Sequence, residues 1–313
     1  MIPALIKNIE KRDWLAMFAA AIVLMATSSC STVLNNSKTS ALSTDYCAPR
    51  LHYRDDTTKQ VFVSKNALVA AKLDAHDYTL ATHIGLLELL NQYSISETAE
   101  EKLNSKQKIT ERVLLLNTEM EAVVAELDCN GERYDQLARF LDARNHKVNT
   151  RLTVASIVTG AALAISTAII KNNKVTNAVN ISGGVAGAGL GFMLLNPKGK
   201  KIQLQTQHSL LNNVWHESNA DNALPPALWR VLNEKAFSNE GKQSLIQTLK
   251  KRWLTFVFDD KLNKEDEQRF FGIKGYFNEE DLQHLADMHN QLQASIRTIQ
   301  QDMRSLIAAI NRI

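Results

Sequence analysis

The chain of 313 residues has a formal net charge of +3, with 22% charged and 45% hydrophobic residues. No basic stripe interleaved with aromatics runs through it, which argues against nucleic acid as a partner. Five prolines and 12 glycines are too few for the many turns of a sandwich or barrel, so the composition predicts an all-α fold.

Lys7, Lys11 and Arg12 precede an uninterrupted apolar run of 13 residues at 14–26, the length of an export-signal core and short for a membrane span. Thr27, Ser28 and Ser29 then lead directly into Cys30. This arrangement resembles the lipobox of bacterial lipoprotein precursors, with Thr27 where the usual pattern has Leu. The resemblance covers residues 1–30. It implies that 1–29 is a cleaved signal peptide and that Cys30 is acylated, becoming the mature N-terminus. Ser31, following that cysteine, points to the outer rather than the inner membrane of a bacterial envelope, with the body periplasmic. Of the three cysteines, Cys47 and Cys129 then remain. An even number in an exported chain predicts a disulfide between them. It would close a loop of 82 residues and be worth roughly 4–5 kcal/mol in the chain-entropy model.

Residues 30–49 are rich in Ser, Thr and Asn and read as a flexible, lipid-anchored tether. A helical stalk follows over 50–151, with an extended piece at 50–63 and an amphipathic helix at 64–92. Ser96 reads as the N-cap of a second, longer helix, with Glu97, Glu100 and Glu101 in its first turns. Its apolar residues recur at Ile109, Val113, Leu116, Met120, Val123, Leu127, Tyr134, Leu137, Leu141 and Val148, a heptad frame that passes Asn130-Gly131 unshifted. With no proline in the way, one helix from about 96 to 170 is predicted, on the order of 110 Å at 1.5 Å per residue.

Two charge-free apolar segments, 152–170 and 178–195, are joined by Lys171-Asn172-Asn173-Lys174. Each has about the length that crosses a bilayer core. Ser156, Gly160, Ala164 and Ala168 recur every fourth position in the first, as Gly183, Gly187 and Gly191 do in the second. The pattern predicts a membrane-type helical hairpin over 152–196 that packs along these small-residue stripes. Arg144, Lys147 and Arg151 before it, and Lys198, Lys200 and Lys201 after it, suit contact with lipid phosphates.

Over 197–313 the predicted elements are a helix to about Glu217, another after Pro225-Pro226 reaching about Phe237, a third over 240–258 capped by Asn239, and a connector at 259–277. A terminal coiled-coil helix follows over 279–313, capped by Asn278. Its seam is Leu282, Leu285, His289, Leu292, Ile296, Ile299, Met303, Leu306, Ile310 and Ile313. The most economical partner for that seam is the 96–148 helix, and a second copy of the chain is the alternative. The fold class is thus an all-α, elongated helical bundle or coiled coil with a central Gly/Ala-rich hairpin.

Chemistry has little foothold in this pattern. The eight histidines form no metal-ligand spacing, and Gly183–Gly189 lacks the Lys-Ser/Thr of a phosphate loop. No catalytic residue, metal or cofactor is expected. The fitting role is a non-enzymatic, membrane-anchored envelope lipoprotein, a scaffold or assembly component whose partners are membrane lipid and either further copies or an envelope complex. An α-helical pore former with an insertable hairpin is the alternative, and a soluble periplasmic enzyme a third. A lipid-anchored chain with a small-residue hairpin looks like the conjugative surface-exclusion and complement-resistance lipoproteins. Long helices flanking an apolar hairpin look like the cytolysin-type pore-forming toxins.

Overall fold

The structure is a computed structural model that describes residues 42, 45–48, 53, 67–169, 184, 187–189, 191, 199–238 and 241–313. Its elements are α1 (Ala67–Ala70), α2 (Ala75–His83), α3 (Leu87–Ile95), α4 (Ala99–Ile169), β1 (Ile202–Gln205), α5 (Leu210–Trp215), α6 (Pro226–Asn233), a 3₁₀ turn at Lys235–Phe237, α7 (Leu245–Val257), α8 (Lys264–Phe271), β2 (Lys274–Phe277) and α9 (Glu279–Ile310). The all-α class holds, with one short two-stranded ribbon added. The chain divides into two units: Asn35–Val148 with Ile202–Ile313, and Met1–Leu34 with Asn149–Lys201.

In the first unit α4 supplies the framework. It belongs to a single helix of 71 residues, which the lack of any proline between Pro49 and Pro197 permits. Thr98 starts it: its hydroxyl accepts from the Glu101 N–H at 3.2 Å, while the Thr98 N–H donates to the Glu101 carboxylate at 3.3 Å. That reciprocal pair is a capping box. Ser96, expected in this role, instead closes α3, its N–H bonded to the Gln92 carbonyl.

Helix α9 lies antiparallel along α4. Asn278 and Asp281 form its capping box. Glu279 then meets Asn145, His289 stacks edge-on against Tyr134 with centroids 5.1 Å apart, Gln293 donates to Asp128 at 3.1 Å, and Gln300 reaches Glu121. Residue numbers fall along α4 as they rise along α9. The two predicted seams therefore bury each other within one chain, from Ile109 to Leu141 on α4 and from Leu282 to Leu306 on α9. Val148 belongs to the same heptad frame yet is exposed, because α9 begins beside Asn145 and nothing in the seam faces α4 beyond it. Gly131, mid-helix, stands where α9 comes close: a Cβ there would lie 2.9 Å from Asn290 Oδ1.

Two predicted helices are differently built. The 64–92 helix is three short ones, α1 to α3, broken by the Asp74 cap of α2 and by Gly85 at φ 79°, a left-handed conformation that favours glycine. The helix expected up to Glu217 begins as strand β1, antiparallel to β2 with Ile202 opposite Phe277 and Leu204 opposite Gly275. The alternation of Ile202 and Leu204 with Gln203 and Gln205 puts the apolar pair inside. Ser244 caps α7, while Asn239, expected in that role, lies outside the described residues, and the 259–277 connector contains α8. Trp215, Trp253, Phe258, Phe270 and Phe271 fill the core there, with Trp215 stacked on Phe271 at 4.5 Å.

In the second unit the end of α4 carries exposed apolar residues: Val154, Ile157, Val158 and Ile165 are 54–66% accessible. At about 100° per residue they fall within one stripe roughly 100° wide.

Candidate functional site

A polar constellation in the first unit lies where the segment 45–48 meets the middle of α4. Cys47 and Cys129 are joined by a disulfide, with S–S 2.03 Å and Cα–Cα 5.7 Å, as cysteine counting predicted. One turn on from Cys129, and hence on the same helix face, Arg133 is fully buried. Its Nη1 lies 3.4 Å from Asp45 Oδ1, and its Nη2 donates to the Tyr134 hydroxyl at 3.0 Å. The ring of Tyr46 lies 5.9 Å from the guanidinium and that of Tyr134 4.9 Å. Asp45 also accepts from the Ala48 N–H at 3.3 Å and, through Oδ2, from the Gln207 N–H at 2.9 Å. Disulfide, ion pair and main-chain hydrogen bond thus fasten this short segment to both α4 and the loop after β1.

A second pair sits beside the first. His208 Nε2 is 2.8 Å from Glu126 Oε1, close but poorly aligned for a hydrogen bond. Contact with Glu126 holds the His208 pKa above its ordinary value, with burial opposing. Burial raises the Glu126 pKa, and His208 opposes that. Burial, together with the charges of Glu126 and Glu119, pushes Tyr53 up to about 12. His289 behaves oppositely: burial depresses it to about 4, against a hydrogen bond from Nδ1 to the Leu285 carbonyl at 2.7 Å. It is a neutral seam residue, as its heptad position implied.

A cavity of about 20 Å³ is lined by Tyr134, Thr206, Ser209, Arg269 and His289, among others. It is large enough for a water molecule and too small for an organic substrate. Among the described residues no three His, Cys, Asp or Glu side chains are grouped to hold a metal ion.

The remaining sequence-predicted site residues are placed unevenly. Cys30 and Gly183 lie outside the described residues. Ser156, Gly160, Ala164 and Ala168 are on α4, while Gly187 and Gly191 are helical. A Cβ at Gly160, Gly187 or Gly191 would meet nothing within 4 Å, so the close backbone approach expected along these stripes is not found among the described residues. This stretch exposes small residues, Gly160 and Ala164 among them, as well as large apolar side chains. Among the described residues no helix is long and apolar enough to cross a membrane. The transmembrane helices expected over 152–170 and 178–195 are therefore not found there, and most of the second segment lies outside the described residues.

Sequence reasoning found the disulfide and missed what surrounds it. Arg133 four residues after Cys129, and Asp45 two before Cys47, were the available signal: an opposite charge close to each cysteine.

Fold and site together define an all-α protein whose N-terminal segment is covalently clasped to its longest helix. Comparison with protein-family models, with curated proteins and with solved structures finds no match for this chain.

Proposed function

We propose that this chain is a non-enzymatic scaffold of a bacterial envelope, held at the outer membrane by an acyl group on Cys30 with its body in the periplasm. The observation that carries the reading is the Cys47–Cys129 disulfide. Such a bond suits an exported chain, and it fixes the polypeptide shortly after the lipid-bearing cysteine to the principal helix. A tether that would otherwise end in a loose tail then transmits position to the whole of that unit. The exposed stripe of Val154, Ile157, Val158 and Ile165, preceded by Arg144, Lys147 and Arg151, supplies the contact surface for lipid or for further subunits. Metabolic labelling with palmitate tests the anchor: label is expected on the native chain and absent from Cys30→Ser. Equal labelling of the two would overturn the reading.

The same exposed stripe favours a second role, membrane permeabilisation by insertion of that segment. Dye release from liposomes separates the roles. A scaffold leaves the vesicles sealed, and a pore former empties them.

A further inference from the structure

Charge is distributed unevenly along the chain. The only charged residues of Asn149–Lys201 are Arg151, Lys171, Lys174, Lys198, Lys200 and Lys201, which leaves 30 basic against 33 acidic residues for the rest. Within this all-cationic span α4 carries the exposed stripe of Val154, Ile157, Val158 and Ile165. Arg151, exposed as well, stands seven residues before Val158. At about 100° per residue it falls roughly 20° beyond the edge of the stripe and so heads it. Thr153, Ser156 and Thr159 centre about 150° away from the stripe. One face of the helix thus joins a guanidinium to large aliphatic side chains, and the face behind it holds hydroxyls.

We propose that α4, over residues 151–165, lies in the headgroup layer of an anionic phospholipid bilayer, with Arg151 bound to lipid phosphate and Val154, Ile157, Val158 and Ile165 seated among the upper acyl chains. Charge complementarity selects this occupant. A second copy laid on the same face would bring two all-cationic spans together, and like charges facing each other oppose association. An uncharged apolar surface would leave the cations unanswered. An anionic bilayer meets both parts of the face: aliphatic chains take the stripe, and phosphate takes the guanidinium, whose planar fork suits it. The remaining basic residues of the span add long-range attraction to the negative surface. Among the described residues no helix is long and apolar enough to cross a membrane, whereas a helix lying in the interface needs a single apolar face sunk by roughly 5–10 Å. This inference rests on the envelope reading and names the surface that the stripe meets.

The test places an indole in the stripe by Ile157→Trp in the full chain and follows its emission as the difference from the parent. Vesicles of brominated phosphatidylglycerol or brominated phosphatidylcholine are titrated in. Quenching is expected to reach half-saturation at a lipid concentration at least tenfold lower for phosphatidylglycerol. Adding Arg151→Glu is expected to raise that concentration at least fivefold. Equal quenching by the two lipids, no quenching by either, or no effect of Arg151→Glu would each overturn the proposal. A blue shift that grows with protein concentration and is indifferent to vesicles would overturn it too, assigning the stripe to a second copy. Running Cys30→Ser in parallel keeps the acyl anchor separate. Quenching selective for phosphatidylglycerol is expected to persist without the acyl group, so the stretch and the anchor fail independently. The unsubstituted chain supplies the second arm. Hydrogen exchange over residues 151–165 is expected to slow at least fivefold with phosphatidylglycerol vesicles and not with phosphatidylcholine, and unchanged exchange with both would contradict the interfacial helix.

Discussion

Arg133 shows at the scale of one residue how a single long side chain ties three parts of the chain together. Its burial is tolerable because Asp45, Tyr134 and the two tyrosine rings surround it. Removing the positive partner of a buried pair leaves the other charge uncompensated. Arg133→Leu is therefore expected to lower the unfolding free energy by about 3–5 kcal/mol, read from urea denaturation, whereas Arg139→Leu, an exposed surface charge, is expected to change it by less than about 1 kcal/mol. His289 is expected to contribute to the acid limb of stability. Its folded value of about 4 lies below its ordinary 6.5, so the unfolded chain binds the proton first. Stability is complete above 6.5 and lost as pH falls from 6.5 through 4. The difference amounts to about 3 kcal/mol as an upper bound. His289→Leu should flatten the decline between pH 7 and 4 in urea titrations, and an unchanged slope would refute that assignment. His208 has the opposite sign. With its folded pKa raised by Glu126, its contribution is present below 6.5 and lost as pH rises through the folded value. His208→Gln should remove that alkaline decline.

At the scale of the element, legibility followed length. The seams of α4 and α9 repeat often enough for periodicity to specify both buried faces, and Asn278 with Asp281 announced the start of α9. Where the elements are short the pattern could not decide. Each strand of the ribbon has four residues, and Ile202 with Leu204 supplies only one full alternation. The breaks among α1, α2 and α3 depend on Asp74 as a cap and on Gly85 adopting positive φ, choices that packing against α6 and α9 makes. Gly272, between α8 and β2, is equally opaque in sequence. A Cβ there would collide with the Gln268 carbonyl, an obstacle of backbone rather than of a flexible side chain. Gly272→Ala should thus cost about 2–3 kcal/mol in the same denaturation assay, although alanine has the higher helix propensity.

For the whole molecule the decisive link is the one that joins its N-terminal segment to its body. Without the disulfide, the Asp45–Arg133 ion pair, the hydrogen bond from the Gln207 N–H and the contact of the Tyr46 ring with Arg133 would be left to hold residues 45–48. The Cys47→Ser/Cys129→Ser double variant is expected to lose on the order of 4 kcal/mol by urea unfolding under oxidising conditions. The site was half legible: the two cysteines could be paired by counting, but the burial of Arg133 and its opposition to Asp45 emerge only once α4, α9 and the loop after β1 are packed together. Intact-mass spectrometry of the protein extracted from bacterial envelopes without reductant tests the lipid-anchored scaffold most directly. The expected species begins at Cys30, carries the mass of a lipid on that residue, and has Cys47 and Cys129 oxidised. A chain that begins elsewhere, or that begins at Cys30 without added lipid mass, would contradict it.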